Sequence, residues 1–365
     1  MRVLLCGGGS AGHVNPALAI GETILRNSPQ SQIAYVATAS GIENQLVDYK
    51  KYHIDIKGLK RSLSLSNVKN AVLLINAVKK SKEIIKEFRP DIIIGTGGYA
   101  TFPVVYAGNK MGVKTALHES NACPGKAIKM LEKRADVIFT NFEESKNFFK
   151  SKEKVIRVGN PLRNGFESYN KEELKKRAGI SEKNVILCYG GSLGADKINS
   201  SAIEIIDNYI RYNKNIRLIW ATGKRSYQEV VETLKLKRLD KLENVSIYEY
   251  IYDMPEKMAM ADIVISRSGA MTISELAASK KCSILIPSTN VTNNHQYKNA
   301  MALEKNGAAI LVTENKTYML IDIIKDLISN EKKRSEMEKN INKFYLPNAN
   351  KDIYIEVLRL LRAGF

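Results

Sequence analysis

Twelve short apolar runs punctuate this chain, and they most constrain what it can fold into. They occupy residues 3–6, 33–37, 92–94, 115–117, 137–139 and 155–158, then, after a break, 185–189, 216–222, 245–248, 263–266, 283–287 and 309–311. The runs are continuous, not alternating, which is the pattern of strands covered on both faces and hence of parallel sheets. Helical segments separate them, giving βαβ units. The pattern also repeats. "VLLCGGGSAGHVNPALAI" from Val3 and "VILCYGGSLGADKINSSAIEII" from Val185 are each a strand, a glycine loop and a helix. Two first strands imply an α/β chain of two Rossmann-like, doubly wound parallel-sheet domains facing each other across a cleft. We place them at 1–160 and 161–348, with "VGNPLRNGF" (158–166) as the crossing. A C-terminal helix after "FYLPNAN", near 351–362 within 349–365, is expected to pack back on the first domain.

Composition narrows the class. With 365 residues, 44% hydrophobic and 26% charged, the chain is long enough for two cores and has the balance of a soluble globular protein. No stretch approaches the ~18 apolar residues of a membrane span, and the first apolar run dies at Gly7, too soon for a signal peptide. Cys6, Cys123, Cys188 and Cys282 are scattered without a C-x-x-C pair; Cys6, Cys188 and Cys282 lie in or beside predicted strands and read as small buried hydrophobes, as expected of a cytoplasmic protein. A net charge of +18 points to an anionic partner: nucleic acid, membrane or phosphorylated substrate. One tryptophan, and no basic-aromatic interleaving, speak against nucleic acid.

Glycines 7, 9 and 12 satisfy G-x-G-x-x-G, the fingerprint of a dinucleotide-binding turn, which also demands an acidic residue ~20 positions on, at the end of the second strand. That strand ends "VATASG" (36–41), with neither carboxylate nor arginine, and the oxidoreductase reading fails. What survives is a glycine loop opening onto a helix N-terminus, where free N–H groups meet an anion. Asn15-Pro16 marks the helix start, since proline is accepted at the first helical position, and His13 then sits just ahead of it, at the carboxyl edge of the sheet where open α/β folds place ligands. The arrangement recurs in "IIIGTGGYATFP" (92–103), "CYGGSLGA" (188–195) and "VISRSGAMTISELAAS" (264–279). Glu275, one turn into the last helix, either complements the helix dipole or captures ribose hydroxyls while helix-end N–H groups face a diphosphate.

Eight motifs in order, "GGGSAGHVNPALAI", "GTGGYATFP", "HESNACPG", "VGNPLR", "GGSLGA", "YIYDM", "RSGAMTISE" and "NNHQYKNA", resemble the MurG family. These are inverting glycosyltransferases of GT-B architecture that move N-acetylglucosamine from UDP-GlcNAc to the C4 hydroxyl of undecaprenyl-diphosphoryl-MurNAc-pentapeptide, turning lipid I into lipid II in peptidoglycan synthesis. The resemblance implies that Ser10, Ala11 and Gly12 lie near the donor and that His13 faces the reacting centre as general base, with Glu119 the rival carboxylate. It places Asn121 on the donor sugar, Arg163 and Ser192 on phosphate, and the Ile251 backbone on uracil. Ala270, Met271 and Thr272 offer helix-end contacts, Glu275 holds the ribose, and Gln296, less firmly His295, reads the sugar. Gly97, Gly98 and Tyr99 belong to the acceptor loop. The sequence departs from the family at Met271, commonly leucine, at Ser10-Ala11, where relatives have Thr-Gly, and at His295-Gln296, where some have Gln-Gln in a shorter loop.

The resemblance further implies metal-independent chemistry with no cofactor, in keeping with the lack of a D-x-D motif, and a peripheral place on the cytoplasmic face of the cell membrane beside other cell-wall synthesis proteins. In the segment 57–88, Leu73, Leu74, Ala77 and Val78 would share a face flanked by Lys69, Lys79 and Lys80; that face either packs inward, as in an ordinary amphipathic helix, or meets the membrane, and the basic rim fits an anionic membrane surface. A UDP-sugar epimerase and a same-fold transferase acting on another lipid are the competing readings.

Overall fold

The structure, a computed structural model, describes residues 1–56, 66–167, 169–289 and 294–362. The chain divides into two compact units, Met1–Arg163 with Leu346–Phe365, and Asn164–Tyr345. Leu162 and Arg163 therefore belong with the N-terminal unit, a little beyond the boundary expected at 160.

The N-terminal unit is built on seven parallel strands, β1 (Arg2–Cys6), β2 (Gln32–Thr38), β3 (Lys50–Ile54), β4 (Ile92–Gly95), β5 (Lys114–Glu119), β6 (Val137–Thr140) and β7 (Val155–Arg157), in the order β3-β2-β1-β4-β5-β6-β7. The order reverses between β1 and β4. Alternate residues of each strand feed two separate cores. Leu4, Cys6, Val36, Ile93 and Leu117 pack beneath helices α3 (Ser66–Phe88), α4 (Thr101–Lys110) and α5 (Lys126–Leu131), which follow α1 (Ala11–Asn27) and α2 (Glu43–Leu46) in the chain. Val3, Leu5, Tyr35, Ile94 and Phe139 pack beneath α1. Burial on both faces explains the unbroken apolar runs. Edge strand β3, "KKYHI", has only Ile54 fully buried, and so lacks the run that marks the others.

The C-terminal unit repeats the plan with six parallel strands. In chain order it comprises α6 (Lys171–Arg177), β8 (Asn184–Tyr189), α7 (Asp196–Asn208), β9 (Ile216–Ala221), α8 (Tyr227–Leu236), β10 (Val245–Tyr248), α9 (Met254–Met260), β11 (Ile263–Ser266), α10 (Ala270–Ala278), β12 (Cys282–Leu285), α11 (His295–Lys305), β13 (Ile310–Leu311), α12 (Leu320–Ser329) and α13 (Glu331–Asn342). The strand order is β10-β9-β8-β11-β12-β13. Trp220, fully buried in β9, donates its indole N–H to Asn199 of α7 at 3.2 Å.

The last helix, α14 (Ala349–Arg362), packs on the N-terminal unit, as expected from its sequence. Ile353 and Val357, four residues apart on one face, join the α1 core and contribute about 1.5–3 kcal/mol each. Asn350 fastens it, accepting from the Leu162 amide at 3.0 Å and donating to Thr23 at 2.9 Å.

Cys6, Cys188 and Cys282 are buried free thiols, each pushed up to about 12 by burial. On α3 the apolar face takes the inward of its two expected places. Ala77 is buried, and Leu74 and Val78 pack against the core, so these residues are not a membrane face. Among the described residues, the large apolar side chains that α3 exposes are Val72 and Ile75, at 53% and 57%, beside exposed Lys79 and Lys80. The rest of the segment at 57–65, and the Lys69 side chain, lie outside the described residues.

His118 in β5 is fully buried, its Nε2 donating to the Gly159 carbonyl at 3.1 Å, and burial pulls its pKa down to about 4. An unfolded histidine takes its proton near 6.5. Between those values the unfolded chain holds one more proton, so stability falls as pH drops, by about 1.4 kcal/mol per unit. In His118→Gln, chemical denaturation between pH 6.5 and 4 should show a stability slope shallower by that amount. An unchanged slope would refute the assignment.

Candidate active site

In the N-terminal unit the site residues gather where strands β1 and β4 end side by side, the position at which open α/β sheets bind ligands. The loop after β1 and the loop after β4 meet backbone on backbone. Gly8 donates its amide to the Gly97 carbonyl at 3.3 Å, and Gly98, at φ +76°, lies so close that a β-carbon would overlap the Gly8 carbonyl. Tyr99 covers Gly9. The expected neighbourhood of Gly97, Gly98 and Tyr99 with the first loop is thus present.

Helix α1 begins at Ala11, a turn earlier than Asn15-Pro16 suggested, so His13 lies inside its first turn and Pro16 in its interior. The reason is local. His13 N–H bonds back to Ser10 O at 3.0 Å, a tight first turn that needs nothing from residue 16. Ser10 is the cap residue in extended conformation, with Ala11 and Gly12 following, and its side chain caps no amide. Instead Ser10 Oγ lies 3.2 Å from His13 Nδ1, which is also 3.1 Å from the Gly8 carbonyl. A carbonyl only accepts, so Nδ1 carries the hydrogen and Nε2 holds the free lone pair. The ring edge rests on Gly97, whose β-carbon would come within 2.7 Å of Cδ2. Thr96 Oγ1 donates to the His13 carbonyl at 2.6 Å. Burial lowers the His13 pKa below 6.5, against smaller raising effects of the Gly8 bond and the Glu43 charge. The imidazole is neutral at pH 7, with the orientation and charge state of a base.

Glu119 is occupied differently. Its Oε1 accepts from the Asn121 backbone and side-chain amides at 2.9 and 3.1 Å, and its Oε2 from Gly125 N–H at 2.8 Å. Both oxygens brace the loop after β5, and Asn121 spends an amide hydrogen on that brace. Arg163 donates from Nε to Glu22 of α1 at 2.9 Å; its two terminal nitrogens are the part left for an anion.

In the C-terminal unit, three loops stand at the carboxyl ends of β8, β11 and β12. The β8 loop carries Ser192 between Gly191 and Gly194, both at positive φ. Gly194 lies backbone to backbone with Thr222 and Gly223, where any side chain would collide. Helices α7 and α10 start at Ala195 and Gly269 without a side-chain cap, as α1 does, whereas α6 and α13 are capped by Asn170 and Asn330. A helix start behind a glycine loop, as at α7, presents N–H groups suited to an anion. Ala270 and Met271 are buried in the first turn of α10, Thr272 is half-buried beside them, and Glu275 follows at 8% exposure, its pKa raised to about 8 by burial. Gln296 Oε1 accepts from Ser288 N–H at 2.9 Å, which leaves its NH2 end to face outward, while its carbonyl accepts from Ser268 Oγ at 2.8 Å. His295 precedes it in the same turn of α11. Ile251 is buried in the segment after β10, between Tyr250 and an exposed Tyr252.

One residue the sequence reading passed over is Glu43. The carboxylate sought at the end of β2 stands two positions past the segment inspected, and it folds back to accept from Thr38 N–H and Oγ1 at 2.9 and 2.6 Å.

Comparison with known proteins now bears on this arrangement. Residues 3–140 match the glycosyltransferase family 28 N-terminal domain, and residues 185–353 its C-terminal domain. A protein of Thermoanaerobacter sp. (strain X514), a UDP-N-acetylglucosamine–N-acetylmuramyl-(pentapeptide) pyrophosphoryl-undecaprenol N-acetylglucosamine transferase by name, is 40% identical over 97% of this chain and 98% of its own. Among solved structures, Acinetobacter baumannii MurG superposes with a TM-score of 0.69 at 24% identity, covering 98% of this chain and 99% of that one. The UDP-GlcNAc 2-epimerase of Neisseria meningitidis reaches 0.67 at 18%, covering 98% and 100%. The two structures establish the fold alone, since transferase and epimerase share it equally. Sequence separates them: the chain belongs to the MurG family of family 28 glycosyltransferases.

Proposed function

We propose that this protein transfers N-acetylglucosamine from UDP-GlcNAc to the C4 hydroxyl of lipid-linked MurNAc-pentapeptide, converting lipid I to lipid II. The observation that carries the reading is 40% identity across 97% of the chain to a transferase named for that reaction. The geometry supplies what the reaction needs. As the acceptor O4 attacks C1 of the donor sugar from the face opposite the diphosphate, Nε2 of His13 takes the hydroxyl proton. The bond from C1 to the β-phosphate oxygen breaks, its electron pair leaves with UDP, and the α-linkage becomes β. The N–H groups that open α10 and α7, with Ser192, answer the charge growing on UDP. Arg163 adds a cation to the phosphates through its terminal nitrogens. Ile251 holds uracil through its backbone, Glu275 the ribose, and Gln296 and Asn121 the sugar. With donors of this kind the chemistry runs without a resident metal.

Peripheral attachment to the anionic cytoplasmic face of the membrane completes the reading. Exposed Val72 and Ile75, next to Lys79 and Lys80 on α3, support it, and no described helix is long and apolar enough to cross a bilayer.

Labelled sugar from UDP-GlcNAc should pass to muramyl-peptide diphosphoryl lipid, with UDP-glucose and diacylglycerol as inactive controls. Transfer to diacylglycerol instead would overturn the acceptor assignment. His13→Ala should lower kcat by ~10²–10⁴ with the KM for UDP-GlcNAc within about threefold; a kcat within about twofold of wild type would assign the proton to another group. The acid limb of kcat/KM should fall below the ordinary histidine value near 6.5, because burial depresses His13. Dialysis against EDTA should leave turnover unchanged. Double substitution of Val72 and Ile75 by serine should weaken sedimentation with anionic vesicles, and equal sedimentation of the variant would reject α3 as the docking face.

A further inference from the structure

Glu43 is the first residue of α2, and no part of it reaches solvent. Its Oε1 is engaged by Thr38, while its Oε2, also buried, has no hydrogen-bond partner. A buried acceptor left unsatisfied costs about 1–3 kcal/mol, more when charged, so its presence needs a reason. The carboxylate lies over Gly41, where any β-carbon would overlap it, and Oε1 would be 3.1 Å from a β-carbon on Gly8. Gly8 is the residue whose carbonyl holds His13 Nδ1.

The other titratable groups near this turn are held neutral or engaged elsewhere. Cys6 of β1 and Tyr35 of β2, whose hydroxyl donates to Gly7 O at 2.6 Å, are both pushed up by burial and stay neutral. The loop after β4 contributes Thr96, Gly97 and Tyr99. Lys51 of β3 is spent on the Asn44 and Val47 carbonyls of α2, and His53 on the Asn44 side chain.

We propose that Glu43 is a positioning residue for His13: it buttresses the Gly8 turn that fixes the imidazole's tautomer, and its charge steadies the imidazolium that forms as the acceptor hydroxyl gives up its proton. The proposal rests on the reading of His13 as base. Negative charge at short range favours the protonated ring, so Glu43 tempers the fall that burial imposes on His13.

The test is Glu43→Gln, which keeps shape and removes charge. The chain has four histidines, His13, His53, His118 and His295, so their ring signals can be titrated by NMR and that of His13 identified by its loss in His13→Ala. In folded Glu43→Gln the His13 midpoint should drop by at least about half a pH unit, kcat should fall roughly tenfold, and the KM for UDP-GlcNAc should stay within about twofold. A midpoint and kcat equal to wild type overturn the proposal, as does a loss confined to KM. If Glu43→Gln does not fold, Glu43→Asp, which withdraws the charge from Gly8 by one methylene, must lower the midpoint in the same direction; a folded Glu43→Asp that titrates as wild type overturns it equally. The titration is read without substrate. An active His13→Ala would therefore reject the base assignment alone, while an unmoved His13 midpoint would reject the Glu43 assignment alone.

Discussion

The contact between the two glycine loops of the N-terminal unit, backbone on backbone at the ends of β1 and β4, underlies the rest of its chemistry. Because Gly8 and Gly98 have no side chains, the loops approach within hydrogen-bonding distance, and that approach places Gly97 under the edge of the His13 ring. The ring is held from below by a glycine, from its own turn by the Gly8 carbonyl, and through its backbone by Thr96. A histidine on an ordinary helix would sample several rotamers; this one is confined by three elements at once. A fixed imidazole with a fixed tautomer loses little freedom on reaching a transition state, which is how positioning lowers a barrier.

Much of this was legible in the sequence, for a physical reason. Strands buried on both faces must be apolar throughout, so all twelve runs coincide with strands to within about two residues at either end, the last of them with the two-residue β13. Strand β3 escaped because an edge strand needs apolar residues on only part of one face, and "KKYHI" spends its exposed positions on charge. Pro16 misled the reading of the helix start, since a proline in the second turn forfeits one hydrogen bond, and the chain accepts this where a glycine loop dictates the geometry upstream. The α3 stripe stays open in the sequence for another reason: periodicity identifies an apolar face but not what covers it, and here the protein's own core covers Leu74, Ala77 and Val78.

Site residues divide along the same line. The glycines and His13 announce themselves because their types are unusual at those places. Glu119 does not: a carboxylate after a strand reads equally as a base or as a brace, and only three N–H groups converging on it decide for the brace. Glu43 was invisible because a buried charge has no sequence signature; its partners come from Thr38 and Gly8, one of them 35 positions away.

Burial acts on His13 and Glu275 in opposite directions on the pH scale and with one result. It lowers His13 and raises Glu275 to about 8, and both are thereby driven toward their neutral forms at pH 7. For His13 neutrality supplies the lone pair a base requires. For Glu275 it supplies a carboxylic acid that can both donate and accept a hydrogen bond, as the proposed contact with the ribose diol requires. Met271, Ile273 and Leu276 are buried in the same helix, and withdrawal from water of this kind is what holds the Glu275 acid in its protonated form.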